Sequence, residues 1–415
     1  MKPTLAIWCG LAATVTAAHG TDEAIDRLDA ALTWTARGDT VRAHVSGLLD
    51  LEAYQLQQPT SGLFRTDADS LLNYRLTLFL DAQLGSSLYV FAQSRVDRGF
   101  DPGVGPTRIR MDEYALRFTP RPDGVFNLQI GKFATVVGNW VARHHSWNNP
   151  FITAPLPYEN LLGLFDKVAG NSTAALIRWT RPGPPVPGHD YYLAQSRVPI
   201  VWGPSYTSGA AISGVVGPAD YAFEVKNASL SSRPAGWDVA QTQWQHPTYS
   251  GRLGYRPDES WYFGFSASTG TYLSPAAQAT LGPGDDLSEY RETVWAQDIG
   301  FAWHHFQFWA EAYEASYAIP EVGDAKTMAY YLEAKYKFTP QFSGAVRWNQ
   351  QLNGDLPDGS GGQVPWGRDT WRIDVAPNYR FTPHTELKLQ YSLQFGGIGP
   401  RNYSHLTAAQ FVIRF

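Results

Sequence analysis

Three features are scarce in this chain of 415 residues, and each scarcity excludes a class of protein. There is one cysteine, Cys9, so disulfides and thiolate metal sites are excluded, and no Cys-x-x-Cys-His motif is present to attach haem. The chain has 33 Lys and Arg residues and 38 Asp and Glu residues, so it carries no excess of positive charge. A nucleic-acid-binding surface normally requires such an excess. We therefore expect no cofactor, no metal and no nucleic-acid partner.

Long apolar runs are also missing. Beyond the N-terminus no stretch of about 18 apolar residues occurs, which excludes a membrane protein built from helices. The N-terminus itself combines Lys2, a short apolar segment over residues 5–15 and the small residue Ala17, which together predict a signal peptide over residues 1–17. The alternative is a buried first helix. Cys9 lies in this segment, so the mature chain would lack cysteine.

Aromatic residues, in contrast, are abundant. They make up 14% of the chain, yet its mean hydropathy is only -0.28. An aromatic-rich but polar composition is unusual for a soluble core. It is expected for β-strands that face lipid on one side and water on the other.

Strict alternation of apolar and polar residues recurs along the chain, and it is clearest over residues 386–395. Alternation has the period of a β-strand whose two faces differ. A soluble sandwich alternates too, so the spacing between strands has to decide. We place sixteen candidate strands at residues 41–56, 72–83, 86–97, 107–119, 124–133, 208–217, 219–228, 248–256, 260–269, 293–303, 305–316, 326–338, 341–351, 369–381, 384–395 and 405–415.

The connections between these strands alternate between short turns and long loops rich in Gly, Pro, Asp and Ser, such as residues 353–367. Short turns at one end and long loops at the other are typical of outer-membrane barrels. Aromatic residues cluster beside the short turns, where amphipathic rings would meet the lipid–water interface: Phe118, Tyr255, Trp261, Trp303, Phe306, Phe338, Phe342 and Phe381. The predicted fold class is thus all-β, a transmembrane antiparallel barrel of about sixteen strands over residues 41–415.

Two motifs carry a family resemblance. The chain ends with apolar residues at alternate positions counted back from Phe415, which resembles the C-terminal assembly signal of bacterial outer-membrane proteins. Residues 129–135 resemble the Gly-x-Phe-x-Thr segment of phosphate-selective porins, although Val136 stands where that family usually has Pro. The chain as a whole resembles a porin-like barrel of the general or phosphate-selective type. The resemblance implies a bacterial outer-membrane location, lipid and the barrel-assembly machinery as partners, and a homotrimer.

We expect residues 18–40 to form a leader between the signal peptide and the first strand, in the periplasm or at the pore mouth. A helix capped by Thr21 is one interpretation, and a disordered leader is the other.

Residues 134–207 form the third and longest loop, in the position where general porins fold a loop into the lumen. Its aromatic and proline content is too apolar for a freely solvated loop. We expect it to constrict the pore, with a surface lid as the alternative. The candidate constriction residues are Arg143, His144, His145, Asp166 and Lys167. We do not expect His144, His145 and His189 to hold a metal, because adjacent histidines project in different directions and no carboxylate pair follows at ligand spacing.

Strand parity predicts the pore lining, because the apolar residues of each strand should face outward. The inward set carries both signs of charge and includes Arg75, Arg95, Arg117, Glu333, Arg347, Arg372, Asp374 and Lys388. The expected function is passive diffusion of small hydrophilic solutes with a modest anion preference set by the loop. One alternative is a structural sleeve for a partner such as an electron-transfer cytochrome. Another is an outer-membrane hydrolase, for which Ser146 beside His145 is the candidate pair.

Overall fold

A computed structural model shows an all-β barrel, and it describes residues 18–415 apart from 37, 39, 58–61, 65, 67, 99–105, 181–196, 236–243 and 397–402. The barrel strands are β1 Val41–Leu56, β2 Ser70–Leu84, β3 Leu88–Asp97, β4 Arg108–Phe118, β5 Asn127–Phe133, β6 Thr207–Val216, β7 Ala219–Lys226, β8 Thr248–Tyr255, β9 Trp261–Thr271, β10 Arg291–Trp303, β11 Phe306–Ile319, β12 Gly323–Lys337, β13 Phe342–Asn353, β14 Thr370–Arg380, β15 Thr385–Phe395 and β16 Tyr403–Arg414.

Each strand pairs antiparallel with the next, and β16 pairs with β1, so the sheet closes on itself. The predicted sixteen-stranded barrel is thus confirmed. Closure satisfies the backbone of every strand, which matters in lipid because an unpaired backbone group there costs several kcal/mol. No helix in the described part of the chain is long and apolar enough to span a membrane.

The two faces of each strand differ as the alternation predicts. On β13 and β14, for example, Arg347, Arg372 and Asp374 are buried, whereas their neighbours Val346 and Ile373 are exposed. The aromatic residues predicted beside the short turns lie on the exposed outer face, among them Phe118, Tyr255, Trp261, Trp303, Phe338 and Phe342. The polar set therefore points into the barrel and the apolar set points outward.

The connections separate by length into two ends of the barrel. At one end the turns span from two residues, 217–218, to eight, 119–126. At the other end lie most of the long loops, including residues 134–206, which we call the third loop. One expected long loop is absent: strands β11 and β12 extend until Ile319 pairs with Gly323, and only residues 320–322 join them. The expected loop covered residues 317–325, but Gly323 and Asp324 already belong to β12. Local turn residues do not reveal how far two strands stay paired.

The N-terminal part of the described chain lies at the short-turn end. A helix, α1, spans Ala18–Ala31, and a short strand, Thr33–Ala36, pairs with the start of β1. Asp26 Oδ1 of the helix lies 2.9 Å from His384 Nε2, and Asp29 Oδ1 lies 2.9 Å from His44 Nε2. Thr21 lies inside the helix, so its predicted role as the cap is wrong. The predicted signal peptide, residues 1–17, lies outside the described residues.

The C-terminal residue closes the seam between β16 and β1. The backbone N–H of Gly47 donates to the carbonyl of Phe415 at 2.8 Å, and the N–H of Phe415 donates back to Gly47 at 3.1 Å. A Cβ at position 47 would lie 2.3 Å from Cζ of the Phe415 ring. The ring therefore lies over the bare backbone of a glycine, which a larger residue would not allow.

Candidate functional site

The third loop leaves β5 and turns directly into the barrel. Gly138 has φ +82°, and a Cβ there would lie 2.1 Å from the hydroxyl oxygen of Tyr313 and 2.3 Å from that of Tyr158. This backbone conformation and this close approach both favour glycine. Just after the turn, the backbone N–H groups of Asn139 and Trp140 donate to the carboxylate of Glu311 on the inner face of β11.

The loop then crosses the lumen and binds the inner wall of the far strands. Arg143 forms an ion pair with Glu333 on β12, donates to the hydroxyl of Tyr331 at 3.0 Å and lies 4.3 Å from the ring centroid of Trp309. Arg143 and Glu333 are both buried, so their ion pair holds the loop against the wall and their charges do not face the lumen.

Two wall arginines hold the middle of the loop. Arg347 donates to the carbonyls of Thr153 and Ala154 at 3.1 and 3.2 Å, and its guanidinium lies 4.2 Å from the ring centroid of Phe151. Arg372 donates to the carbonyl of Ala154 and forms an ion pair with Glu159. Charge-assisted hydrogen bonds such as these are stronger than neutral ones, so the loop is firmly anchored here.

A third basic residue anchors the loop nearer the short-turn end. Lys388 on β15 donates from Nζ to the carbonyls of Ser146 and Asn149. Beside it, Trp147 of the loop lies between two guanidiniums, 4.5 Å from that of Arg380 and 5.4 Å from that of Arg414. The loop is thereby bound to the inner wall along β11–β15.

Much of the long-loop half of the lumen is filled by an apolar core. The third loop contributes side chains such as Val141, Leu162, Leu176 and Ile200, and neighbouring loops contribute Leu230, Tyr272, Leu287 and Trp366. They pack on inward residues of β10–β12, namely Val294, Ala296, Tyr313, Ala315, Tyr317, Ile319, Ala325, Ala329 and Tyr331. On this side the barrel interior resembles that of a globular protein.

A cavity of about 140 Å³ remains on the opposite side, between the third loop and the wall of β1–β3. The wall contributes Asp50, Arg75, Thr77 and Arg95, and the loop contributes His144, His145, Asn149 and Glu159. The two wall arginines are paired: Arg75 with Asp50 at 3.1 Å and with Glu52, and Arg95 with Asp112 at 3.2 Å. Apolar residues such as Leu48, Phe64 and Ile152 also line the cavity, which is therefore mixed in polarity and close to neutral in charge.

Several solved structures are similar to this fold, whereas no protein-family model and no curated protein matches the chain. OmpF of Salmonella typhi, in complex with daunomycin, aligns with TM-score 0.55 and 11% identity over 92% of this chain and 100% of OmpF. An anion-selective porin from Comamonas acidovorans aligns with TM-score 0.56 and 9% identity over 90% of this chain and 100% of that porin. The outer-membrane channel DcaP of Acinetobacter baumannii aligns with TM-score 0.54 and 11% identity over 92% of this chain and 99% of DcaP.

The chain has the porin fold. At 9–11% identity the likeness concerns the fold alone.

The predicted constriction residues of this porin-fold chain fall into three places. His144 and His145 line the cavity, with their rings 3.9 Å apart. Arg143 lies on the wall side of the loop and is not among the lining residues. Asp166 and Lys167 lie at the long-loop end, where the Asp166 carbonyl accepts from the backbone of Ser274, and Lys167 is exposed. Burial raises the pKa of Asp166 to about 6.

The predicted lining residues all lie on inner faces, but they differ in access to the cavity. Arg75 and Arg95 line it. Arg117 lies in the short-turn half and donates to Gln129 at 2.8 Å. The remaining five are buried beneath the third loop: Glu333, Arg347, Arg372, Asp374 and Lys388. These five bind the loop or pair with each other, so they act as anchors.

Neither the metal site nor the hydrolase pair is assembled in the described part of the chain. His144 uses both ring nitrogens, Nδ1 toward the carbonyl of Val141 and Nε2 toward the hydroxyl of Tyr206. His189 lies outside the described residues, and no group of three metal-ligating side chains occurs within them. Ser146 Oγ forms no hydrogen bond with His145.

Several lining residues escaped prediction. Tyr54 and Gln410 were missed because each was an unremarkable member of a strand. Trp202 and Tyr206 close the third loop, and the apolar stretch over residues 198–202 was a signal that this part of the loop also needs a surface to pack on.

Proposed function

We propose that the protein is a passive diffusion channel for small hydrophilic solutes in a bacterial outer membrane. The observation that carries the proposal is a closed barrel of sixteen strands with an apolar outer face and, beside an inserted third loop, a cavity lined by both polar and apolar side chains. A barrel of this size leaves an aqueous channel when its lumen is only partly filled. The third loop would narrow that channel to the cavity beside β1–β3.

A modest anion preference would arise in the short-turn half, which we place on the periplasmic side. On β12–β16 the inward positions next to the short turns carry Lys335, Lys337, Arg380 and Arg414, against the carboxylate of Glu386, which pairs with Arg380 at 2.9 Å. An excess of positive charge in a confined passage attracts anions. This assignment replaces Arg143 and Lys167 as the source of the preference, because one is neutralised by Glu333 and the other is exposed at the outer mouth.

We also propose a homotrimer that buries the outer face of β1–β3. That face is aliphatic, with residues such as Leu49, Leu78 and Val90, and Tyr74 is its only aromatic side chain in the described strands. Aromatic rings normally mark a face that meets the lipid boundary. One solved structure with this fold, OmpT of Vibrio cholerae, is described as a trimer form. Leu78→Arg should convert the protein to a monomer in detergent, whereas Leu389→Arg on the aromatic-rich face should not.

The alternatives have less support. A sleeve for a cytochrome needs an open lumen, but the third loop and its neighbours already fill one side of it. A hydrolase needs a nucleophile within hydrogen-bond reach of its base, and Ser146 and His145 do not meet that condition. We therefore propose a channel without catalytic activity.

Planar-bilayer recording tests the proposal. Purified protein should give steady conductance steps, and a salt gradient should give a reversal potential on the anion side. Arg380→Glu with Arg414→Glu should move that potential toward cation preference, whereas Arg143→Glu with Lys167→Glu should move it much less. Silent membranes at high protein load would refute the channel, and a larger effect from the second pair would refute the location of the selectivity.

A further inference from the structure

We propose that the cavity between the third loop and β1–β3 binds a neutral, hydroxylated six-membered ring, which is the chemistry of a sugar. The inference rests on the proposed channel function and names the class of solute that the channel retains as it passes.

The size of the cavity sets the first limit. At about 140 Å³ it is comparable to cavities that accommodate a single six-membered carbon ring, which are about 150 Å³. A monosaccharide unit is of this order, whereas a fused aromatic system or an extended peptide is larger. The site thus suits one ring at a time.

Two groups of aromatic rings contribute to the lining of the cavity. The rings of Tyr54 and Phe64 pack edge to face with centroids 4.9 Å apart. The ring of His145 packs against that of His144 at 3.9 Å and edge to face against that of Phe79 at 5.0 Å. The C–H face of a pyranose is apolar and packs on such rings, and the negative face of an aromatic ring favours the slightly positive C–H groups.

Hydrogen-bond donors and acceptors also line the cavity. Asp50, Arg75 and Asn149 supply charged and amide groups at the edge of the cavity. Trp140, Trp202 and Gln410, whose side chains carry an indole N–H or an amide, also line the cavity. Sugar hydroxyls both donate and accept, so they match a mixed set better than a carboxylate or an ammonium would.

The charged residues of the lining are paired with residues of opposite charge, which favours a neutral solute. Arg75 is balanced by Asp50 and Glu52, Arg95 by Asp112, and the one loop carboxylate in the lining, Glu159, by Arg372. Burial and the adjacent histidine lower the pKa of His145 well below its ordinary value, so this ring is neutral near pH 7. An anion or a cation would gain no unpaired countercharge here.

The test measures solute block of single channels in planar bilayers. The probes are D-glucose and sorbitol, an open-chain polyol of similar size and hydroxyl content. We expect glucose to interrupt the current in a saturable way and sorbitol to change it only through viscosity. Binding must be weak for the solute to leave, so half-block should need millimolar concentrations or more. Equal effects of the two probes would overturn the proposal, as would stronger block by benzoate, which would assign the site to aromatic acids.

Variants then locate the site. Phe64→Ala and His145→Ala should each raise the half-blocking glucose concentration by roughly three- to tenfold, the range expected for loss of one aromatic contact. Phe126→Ala, in a turn at the other end of the barrel, is the matched control and should leave block unchanged. Block that survives both cavity variants would overturn the assignment. Current without sugar block would leave the channel proposal standing, whereas the absence of any current would overturn both.

Discussion

Arg347→Ala should loosen the third loop while leaving the barrel intact. Arg347 is completely buried on β13 and donates to the carbonyls of Thr153 and Ala154, the second of which it shares with Arg372. Hydrogen bonds to a charged group contribute about 1.5–3 kcal/mol each, and a cation over a ring such as Phe151 adds about 0.5–2 kcal/mol.

The variant also leaves two buried carboxylates without this partner. Arg347 Nε donates to Asp374 at 2.9 Å, and Nη1 lies 3.5 Å from Glu333. Removing one member of a buried ion pair costs about 3–5 kcal/mol. In the variant Asp374 retains its ion pair with Arg372 at 3.1 Å, so we expect a cost at the low end of that range, about 3 kcal/mol. This free energy corresponds to roughly a hundredfold rise in the population of the displaced loop.

Single-channel recording measures this effect as increased open-channel noise and higher mean conductance. The matched control is Arg117→Ala, because Arg117 also lies on the inner wall but pairs with Gln129 and stacks on Tyr89. Both variants should retain normal heat-modifiable migration on a gel. If Arg347→Ala and Arg117→Ala give the same noise and conductance as the parent, the anchoring role assigned to Arg347 is wrong.

Three further predictions follow from single contacts. Gly138→Val should displace the start of the third loop, because its side chain would overlap Tyr158 and Tyr313, and conductance should rise; an unchanged conductance would contradict the observed turn. Phe415→Ala should reduce barrel assembly, and Gly47→Val should do the same by crowding the Phe415 ring, as measured by heat-modifiable migration; full assembly of both variants would exclude a role for this seam. Burial lowers the pKa of His144 from 6.5 to about 4, so a displaced loop binds a proton that the packed loop does not. Loop stability should therefore fall as pH drops from 6.5 toward 4, and current noise should rise over that range. His144→Gln should weaken this pH dependence, and the remainder should come from His145, whose pKa burial also lowers.

The sequence was sufficient to predict the barrel because alternation is a local property. Each strand shows its two faces in its own residues, and connection lengths then fix the order of turns and loops. The same reasoning failed for the loop expected over residues 317–325, where pairing between β11 and β12 continues as far as Ile319 and Gly323. How far two strands remain paired depends on both strands, so neither one reveals it alone.

The site was predicted only in outline. The apolar content of the third loop indicated a surface to pack on, and the loop does pack on the inner wall. Which of its charges face water could not be predicted, because that depends on partners nearly two hundred positions away, as for Arg143 and Glu333. Inward alanines such as Ala315 and Ala329 were a signal that part of the lumen is filled, since a water-filled wall does not require small apolar residues.

The central claim is that the third loop narrows a water-filled channel. Its most direct test is the single-channel conductance of the protein in which residues 141–163 are replaced by a short Gly-Ser linker. The anchoring side chains Glu333, Arg347, Arg372 and Lys388 carry both signs of charge and would become solvated, so the barrel should still assemble. We expect steady steps of higher conductance than those of the parent protein. Steps of equal conductance, from a barrel that migrates normally on a gel, would contradict it.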